Sequence, residues 1–240
     1  MIEDIDKSCY AQSQMRGARR LKELMLRKIE DAQDGYSKGI LDLSNLALRY
    51  FPEEIIYCFD LNSLDLSQNY IKTIEYSLHS LRELEYLNLE NNKLILIPDR
   101  IEELPKLTDL SLANNNLRTL SKRLGKCKQL ISLDLSDNPI REAKYFKVLE
   151  GMTNLETLSL KQLNLTKIPD SVFSLKKLEL LNLEDNLISD IPDAIANLVN
   201  LKALNLGENQ IKIIPDILNQ LPNLEKIIIG KTLTCKYSCF

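Results

Sequence analysis

From Leu61 onward, apolar and polar residues alternate in short bursts. Leu64 and Leu66 flank Asp65, with Ser63 and Ser67 outside them. This period-2 spacing predicts a strand buried on one face. Asn69 follows three residues after Leu66, and apolar Ile71 comes two residues later. The same shape returns as ELEYLNLENNKL, KLTDLSLANNNL, QLISLDLSDNPI, NLETLSLKQLNL, KLELLNLEDNLI and NLKALNLGENQI. The shared form is L-x-x-L-x-L-x-x-N-x-L. Its asparagine slot falls at Asn69, Asn92, Asn115, Asn138, Asn186 and Asn209, while Leu46 and Leu163 fill it in the first and sixth copies. The step is 23 residues, except for 25 between Asn138 and Leu163. A weaker ninth copy, NLEKIIIGKTLT, puts Thr232 in the slot.

One such strand cannot bury its apolar face alone. Stacked units can, through a parallel sheet over a continuous leucine core. The slot asparagine sits where the chain leaves the strand. Its buried amide is expected to satisfy backbone groups of its own and adjacent turns. Ile97-Pro98-Asp99, Ile168-Pro169-Asp170, Ile191-Pro192-Asp193 and Ile214-Pro215-Asp216 open the other half of four units. Proline there suits a strandless outward turn. The longer fifth interval, with REAKYFKVLEGM from Arg141, has helix formers and no proline, and predicts a short helix. The leucine at 163 reads as drift within one repeat. Open ends of a stack need caps. Gly17 to Gln33 predicts an amphipathic capping helix, with Leu21, Leu24, Met25, Lys28, Ile29 and Ala32 at helical spacing. Its basic residues, Arg16, Arg19, Arg20, Lys22, Arg27 and Lys28, are offset by Glu23, Glu30 and Asp31, so a solvated outer face is expected. Leu233 and Phe240 are expected to cover the far end.

The repeat resembles the leucine-rich repeat, over roughly Lys38 to Thr234, and its I-P-D half resembles the Ras-group and bacterial 23-residue subclass. The resemblance implies an α/β fold: a right-handed leucine-rich repeat solenoid, or horseshoe, with a parallel concave β-sheet and an N-terminal helical cap. The expected organisation is a capping segment over residues 1–36, an array of about nine repeats over 37–229 and a C-terminal tail over 230–240.

Composition narrows the chemistry. Leucine supplies 47 of 240 residues, glycine only 7, and His79 is the single histidine. Asparagine and proline turns explain the scarcity of glycine. One histidine excludes a multi-histidine metal site and leaves little room for a catalytic triad. With 31 basic and 34 acidic residues, nothing marks a nucleic-acid surface. There is no apolar run of about 18 residues for a membrane span. The acidic, polar start carries no secretory signal, so a cytoplasmic protein is expected, or one delivered into a host cytosol. Cys58 and Cys127 occupy core positions, whereas Cys9, Cys235 and Cys239 lie near the ends. Gly230-Lys231-Thr232 fails as a phosphate loop, because Glu225 stands where the motif needs its first glycine. Asn164-Leu165-Thr166 matches a glycosylation acceptor only by its letters. No catalytic, cofactor or metal residues are expected, and no small-molecule substrate.

The outward strand positions form columns. The central one reads Asp42, Asp65, Asn88, Ser111, Asp134, Ser159, Asn182, Asn205, Ile228. The columns beside it carry Tyr86 and Asp109 on one side, and Ser67, Glu90, Ala113, Ser136, Lys161 and Glu184 on the other. A fourth carries Asn91, Asp137 and Asp185. The face is acidic over its first two-thirds and turns basic at the last repeat. Nine strands span on the order of 40 Å, enough for a protein interface of ~800 Å² per side. Tyr86, with Tyr70 at the edge, is the expected aromatic anchor. The expected contact set is Asp65, Tyr70, Tyr86, Asn88, Glu90, Asp109, Ser111, Asp134, Glu184 and Asp185. The expectation is a non-enzymatic module gripping a folded protein with a basic or polar surface, of the kind that inhibits or regulates an enzyme. Resemblance to bacterial repeats implies an effector-like regulator. The Ras-group likeness implies an alternative, a scaffold for a small GTPase or its effector.

Overall fold

The computed structural model describes residues 19–36, 38–74, 76–97 and 99–229. Among these described residues, nine three-residue strands run in sequence order: β1 Ile40–Asp42, β2 Ser63–Asp65, β3 Tyr86–Asn88, β4 Asp109–Ser111, β5 Ser132–Asp134, β6 Thr157–Ser159, β7 Leu180–Asn182, β8 Ala203–Asn205 and β9 Lys226–Ile228. They form one open sheet in the order β1 to β9, and every neighbouring pair is parallel. The register never slips. Leu64, Leu87, Leu110 and Leu133 face one another across successive strands, and all are buried. A one-residue slip would turn that leucine column to solvent. The longer interval leaves the sheet untouched, since Leu133 still pairs with Leu158.

The other half of each unit is a short 3-10 helix rather than a bare turn: η1 Glu53–Tyr57, η2 Tyr76–Ser80, η3 Asp99–Glu103, η4 Leu124–Lys126, η5 Ala143–Gly151, η6 Asp170–Ser174, η7 Asp193–Asn197 and η8 Asp216–Gln220. Pro52, Pro169, Pro192 and Pro215 stand at their N-caps with φ between −60° and −77°. Proline is preset for this position and lacks only an N–H that the first turn would leave unbonded. The extra two residues are absorbed by η5, whose Phe146 and Leu149 are fully buried. His79 lies in η2 and is exposed.

Residues 19–33 form the capping helix, α1. Met25 and Ile29 join the core, with Leu21, Leu26 and Ala32 packed against it. Leu24 departs from the expected apolar stripe and is 42% exposed. Leu26 takes its part, because the face laid on the first repeat is rotated from the one that the spacing suggested. Lys28 is not buried as packing either. Its Nζ donates to Asp42 O at 2.6 Å, tying α1 to the end of β1. Cys9, Cys235, Cys239, residues 230–232 and the expected end cap at Leu233 and Phe240 lie outside the described residues.

Candidate functional site: the open face of the sheet

The strand exits set what this face can offer. Asp65 Oδ1 accepts the Ser67 N–H at 2.8 Å, Asn88 Oδ1 that of Glu90 at 3.0 Å, and Asp134 Oδ1 that of Ser136 at 2.9 Å. Asn182 and Asn205 do the same for Glu184 and Gly207. The named oxygen of each of these aspartates and asparagines therefore closes the turn after its strand. A hydrogen bond from the Ser44 side chain, then the same bond from its N–H, with Lys28 nearby, hold the Asp42 carboxyl below its ordinary value. What is left for a neighbour or a partner is the second oxygen of an aspartate or the amide nitrogen of an asparagine, as where Asp65 Oδ2 accepts Asn88 Nδ2 at 3.1 Å.

The fourth column has a backbone cause. Asn45, Gln68, Asn91, Asn114, Asp137, Gln162, Asp185 and Glu208 all lie at φ between 51° and 56°. The left-handed region favours asparagine and aspartate and penalises β-branched residues. Polarity there is a turn requirement before it is a binding feature. The third column is less open than its place in the alternation suggests. Ser67, Ala113 and Ser136 are buried, because the chain is already turning down at these positions.

Tyr86 is the centre of one group of polar and acidic side chains. It is 40% exposed on β3 and faces Ser63 of β2 and Asp109 of β4 in register. Burial, then the charges of Asp65, Asp109 and Glu90, push its phenol above the ordinary value, while a hydrogen bond with Asn88 acts the other way. The hydroxyl therefore stays protonated at neutral pH among carboxylates. Asp109 Oδ2 is itself held by Thr108 Oγ1 at 2.7 Å. Ser111 and Asp134 continue the central column on β4 and β5. Tyr70 is 55% exposed beyond the exit of β2, its backbone N–H bonded to Leu48 O.

Glu184 and Asp185 belong elsewhere. They follow β7, four strands from Tyr86, roughly 19 Å along the sheet. Glu184 pairs with Lys161 at 3.2 Å and takes Asn205 Nδ2 at 3.1 Å. Asp137 shares this second group. Burial raises its pKa first, Asp134 and Asp185 add to the rise, and Lys161 opposes it. The column pattern contained Asp137 but gave no sign that its charge sits between two acidic neighbours and a lysine.

The far third of the face is apolar rather than simply basic. A shallow hollow of about 330 Å³ is lined there by Thr157, Leu180, Ala203, Lys226 and Ile228. Leu180 is 43% exposed. The signal was present in the run Thr157, Leu180, Ala203 of the first column, which breaks the polar habit of the earlier strands. The face thus offers a tyrosine in an acidic field at β2–β4 and an apolar hollow with Lys226 at β6–β9. Among the described residues, no group of three or more His, Cys, Asp or Glu is placed to hold a metal ion. No helix among them is long and apolar enough to cross a membrane.

The sequence model of the leucine-rich repeat matches residues 40–94 and 153–211. No curated protein matches the chain. Among solved structures, a leucine-rich repeat protein of Leptospira interrogans is 32% identical with a TM-score of 0.71, over 76% of this chain and 47% of that one. The chain therefore spans about half of that relative. Internalin C2 of Listeria monocytogenes is 29% identical with a TM-score of 0.69, over 82% of this chain and 83% of its own. The leucine-rich repeat ectodomain of the Arabidopsis thaliana receptor kinase GASSHO1/SCHENGEN3, in complex with CASPARIAN STRIP INTEGRITY FACTOR 2, is 31% identical with a TM-score of 0.63, over 79% of this chain and 24% of that one.

Proposed function

We propose that this leucine-rich repeat protein is a non-enzymatic binding module whose open sheet face grips a folded partner with a basic or polar surface. The observation that carries the reading is the Tyr86 group, a half-exposed protonated phenol ringed by Asp65, Asn88, Glu90 and Asp109. A tyrosine contributes contact area and a hydroxyl at little entropic cost, and tyrosine is enriched at binding hot spots. The carboxylates around it favour encounter with a cationic surface and set its orientation. The hollow at Leu180 and Ile228 supports a second, apolar contact further along the same partner. Such a clamp regulates an enzyme by covering its active site. We read the chain as a regulator of that kind, of bacterial effector type and acting in a cytosol. The bacterial sources of two similar structures favour that reading.

The test is affinity capture from a lysate followed by calorimetry on the captured protein. Asp65→Asn, Asp109→Asn and Asp134→Asn together remove charge while keeping the Oδ1 acceptors of the strand exits. The strand-exit acceptors concerned are those of Asp65 and Asp134, and the triple variant is expected to bind at least about tenfold more weakly, which is ~1.4 kcal/mol. Tyr86→Ala is expected to cost about 2 kcal/mol or more. Unchanged affinity in both variants would dismiss the open face. Capture of a small GTPase in one nucleotide state only would replace the enzyme-regulator reading with the signalling one.

A further inference from the structure

The far side of the molecule carries a second recess, between η4 and η5, of about 750 Å³. That volume lies within the range of about 300–1,000 Å³ typical of ligand clefts. The insertion builds it, since η5 has nine residues where η4 has three. Two of the chain's 7 glycines meet here. A Cβ on Gly151 would stand 2.0 Å from Gly125 O, and one on Gly125 would stand 2.6 Å from Val148 O. Neither glycine has the positive φ of a turn. Their missing side chains serve a backbone-to-backbone approach that seats η5 on η4.

The lining pairs an apolar wall with a cationic rim. Leu120, Tyr145 and Val148 form the wall. Lys122, Lys126, Lys144 and Lys147 form the rim, with Glu150 as the one carboxylate. Lys144 is paired with Glu142 and stands 5.0 Å above the Tyr145 ring. Lys126 lies 4.0 Å from Glu102. Lys122 and Lys147 are exposed and make no ion pair among the described residues. In a chain of net charge −3, this recess has the opposite sign to the Tyr86 group on the sheet.

We propose that the η4–η5 recess is a second binding site, which takes an acidic peptide segment carrying an apolar side chain. The apolar residue enters against Leu120, Tyr145 and Val148, while flanking carboxylates meet Lys122 and Lys147. Charge complementarity selects the acidic partner. The shape selects a peptide, because the apolar atoms line a recess, whereas a membrane surface is met by an apolar face that projects. The site is independent of the open-face reading, since it shares no residue with that face and favours the opposite charge.

Fluorescence anisotropy tests it, with a fluorescein-labelled peptide of a Leu-Phe pair flanked by aspartates and a control bearing lysines in their place. The acidic peptide is expected to bind saturably and more weakly as salt rises. Lys122→Glu with Lys147→Glu is expected to weaken it at least about tenfold. The Asp65→Asn, Asp109→Asn, Asp134→Asn variant is expected to bind the peptide as the parent does, even if it has lost the open-face partner. The two lysines are exposed, so the reversed variant keeps its core, and an unchanged thermal melt checks this. Absence of saturable binding, equal binding of the lysine control or an unchanged Kd in the reversed variant overturns the proposal. So does binding to phosphatidylserine vesicles without binding to the peptide.

Discussion

Asn115 donates its amide to Leu112 O and Ala113 O of its own turn and to Leu89 O of the turn before, at 2.9–3.1 Å. Leu89 O also receives Asn92 and Leu112 O also receives Asn138, so these two carbonyls are each shared by two asparagines. That sharing explains how leucine is tolerated at 163. Leu135 O keeps Asn138 and Leu160 O keeps Asn186, so neither is orphaned. Nor is Leu163 simple drift. Leu163 and Leu165 both donate their N–H to Asn186 Oδ1, as Leu46 and Leu48 do to Asn69 Oδ1. Asn164 and Ala47, the residues after the two leucines, both have positive φ. The sixth repeat therefore reproduces the turn of the first. Asn115→Ala, which loses these three bonds and also the Oδ1 acceptor of the buried Leu94 N–H, is expected to cost about 2–4 kcal/mol in urea unfolding. Ala47→Gly is expected to gain about 0.5–1 kcal/mol by the same measurement, because Ala47 is exposed at φ 53° and glycine adopts that region freely. Burial, with Glu102 adding to it, pushes the Cys127 thiol up to about 12. The native thiol stays protonated where the unfolded one ionises. Its contribution to stability is complete below about pH 9 and is lost as pH rises towards 12, at roughly 1.4 kcal/mol per pH unit or less. Cys127→Ala is expected to flatten that alkaline decline in a series of melts.

At the scale of elements, the cap and the inserted helix differ in what fixed them. The position of α1 was legible as a period of apolar residues, but its rotation was not. Spacing admits both Leu24 and Leu26, and only contact with the first repeat chooses. Ile29→Ala is expected to cost about 2–4 kcal/mol through the cavity it leaves. Hydrogen exchange should show the loss locally, with β1 amides exposed sooner and β7 amides unchanged, since each solenoid unit touches only its neighbours. The inserted η5 was legible as a helix, but its purpose was not. The two glycines that seat it on η4 lie 26 residues apart, and nothing local marks them as partners.

At the scale of the molecule, the insertion and the leucine slot fall at one joint, yet the joint is tied on both sides. On the sheet, Leu135 N–H bonds Ser159 O, and Ser136 Oγ lies 2.7 Å from Ser159 Oγ. On the far side, Ser171 Oγ donates to Phe146 O at 2.8 Å, and Phe146 is fully buried. Repeats 1–5 and 6–9 are therefore expected to unfold in one cooperative transition. Two resolved steps in a denaturant titration would show that the joint is a real division.

The repeat, its register, the asparagine ladder and the acidic strand columns were all determined by the sequence alone. A fixed period writes one local environment many times, and local hydrogen-bond needs choose the same residue at each copy. Tertiary structure decided what happens between units. It chose the face of α1 that is buried, gathered Asp65, Asn88, Glu90 and Asp109 about Tyr86 while leaving Glu184 and Asp185 in a separate group, and brought Gly125 against Gly151 to open a lysine-rimmed recess. The decisive contacts, Asp65 and Asp109 with Tyr86 and Gly125 with Gly151, join residues more than twenty positions apart, where only the packing of successive turns sets the distance.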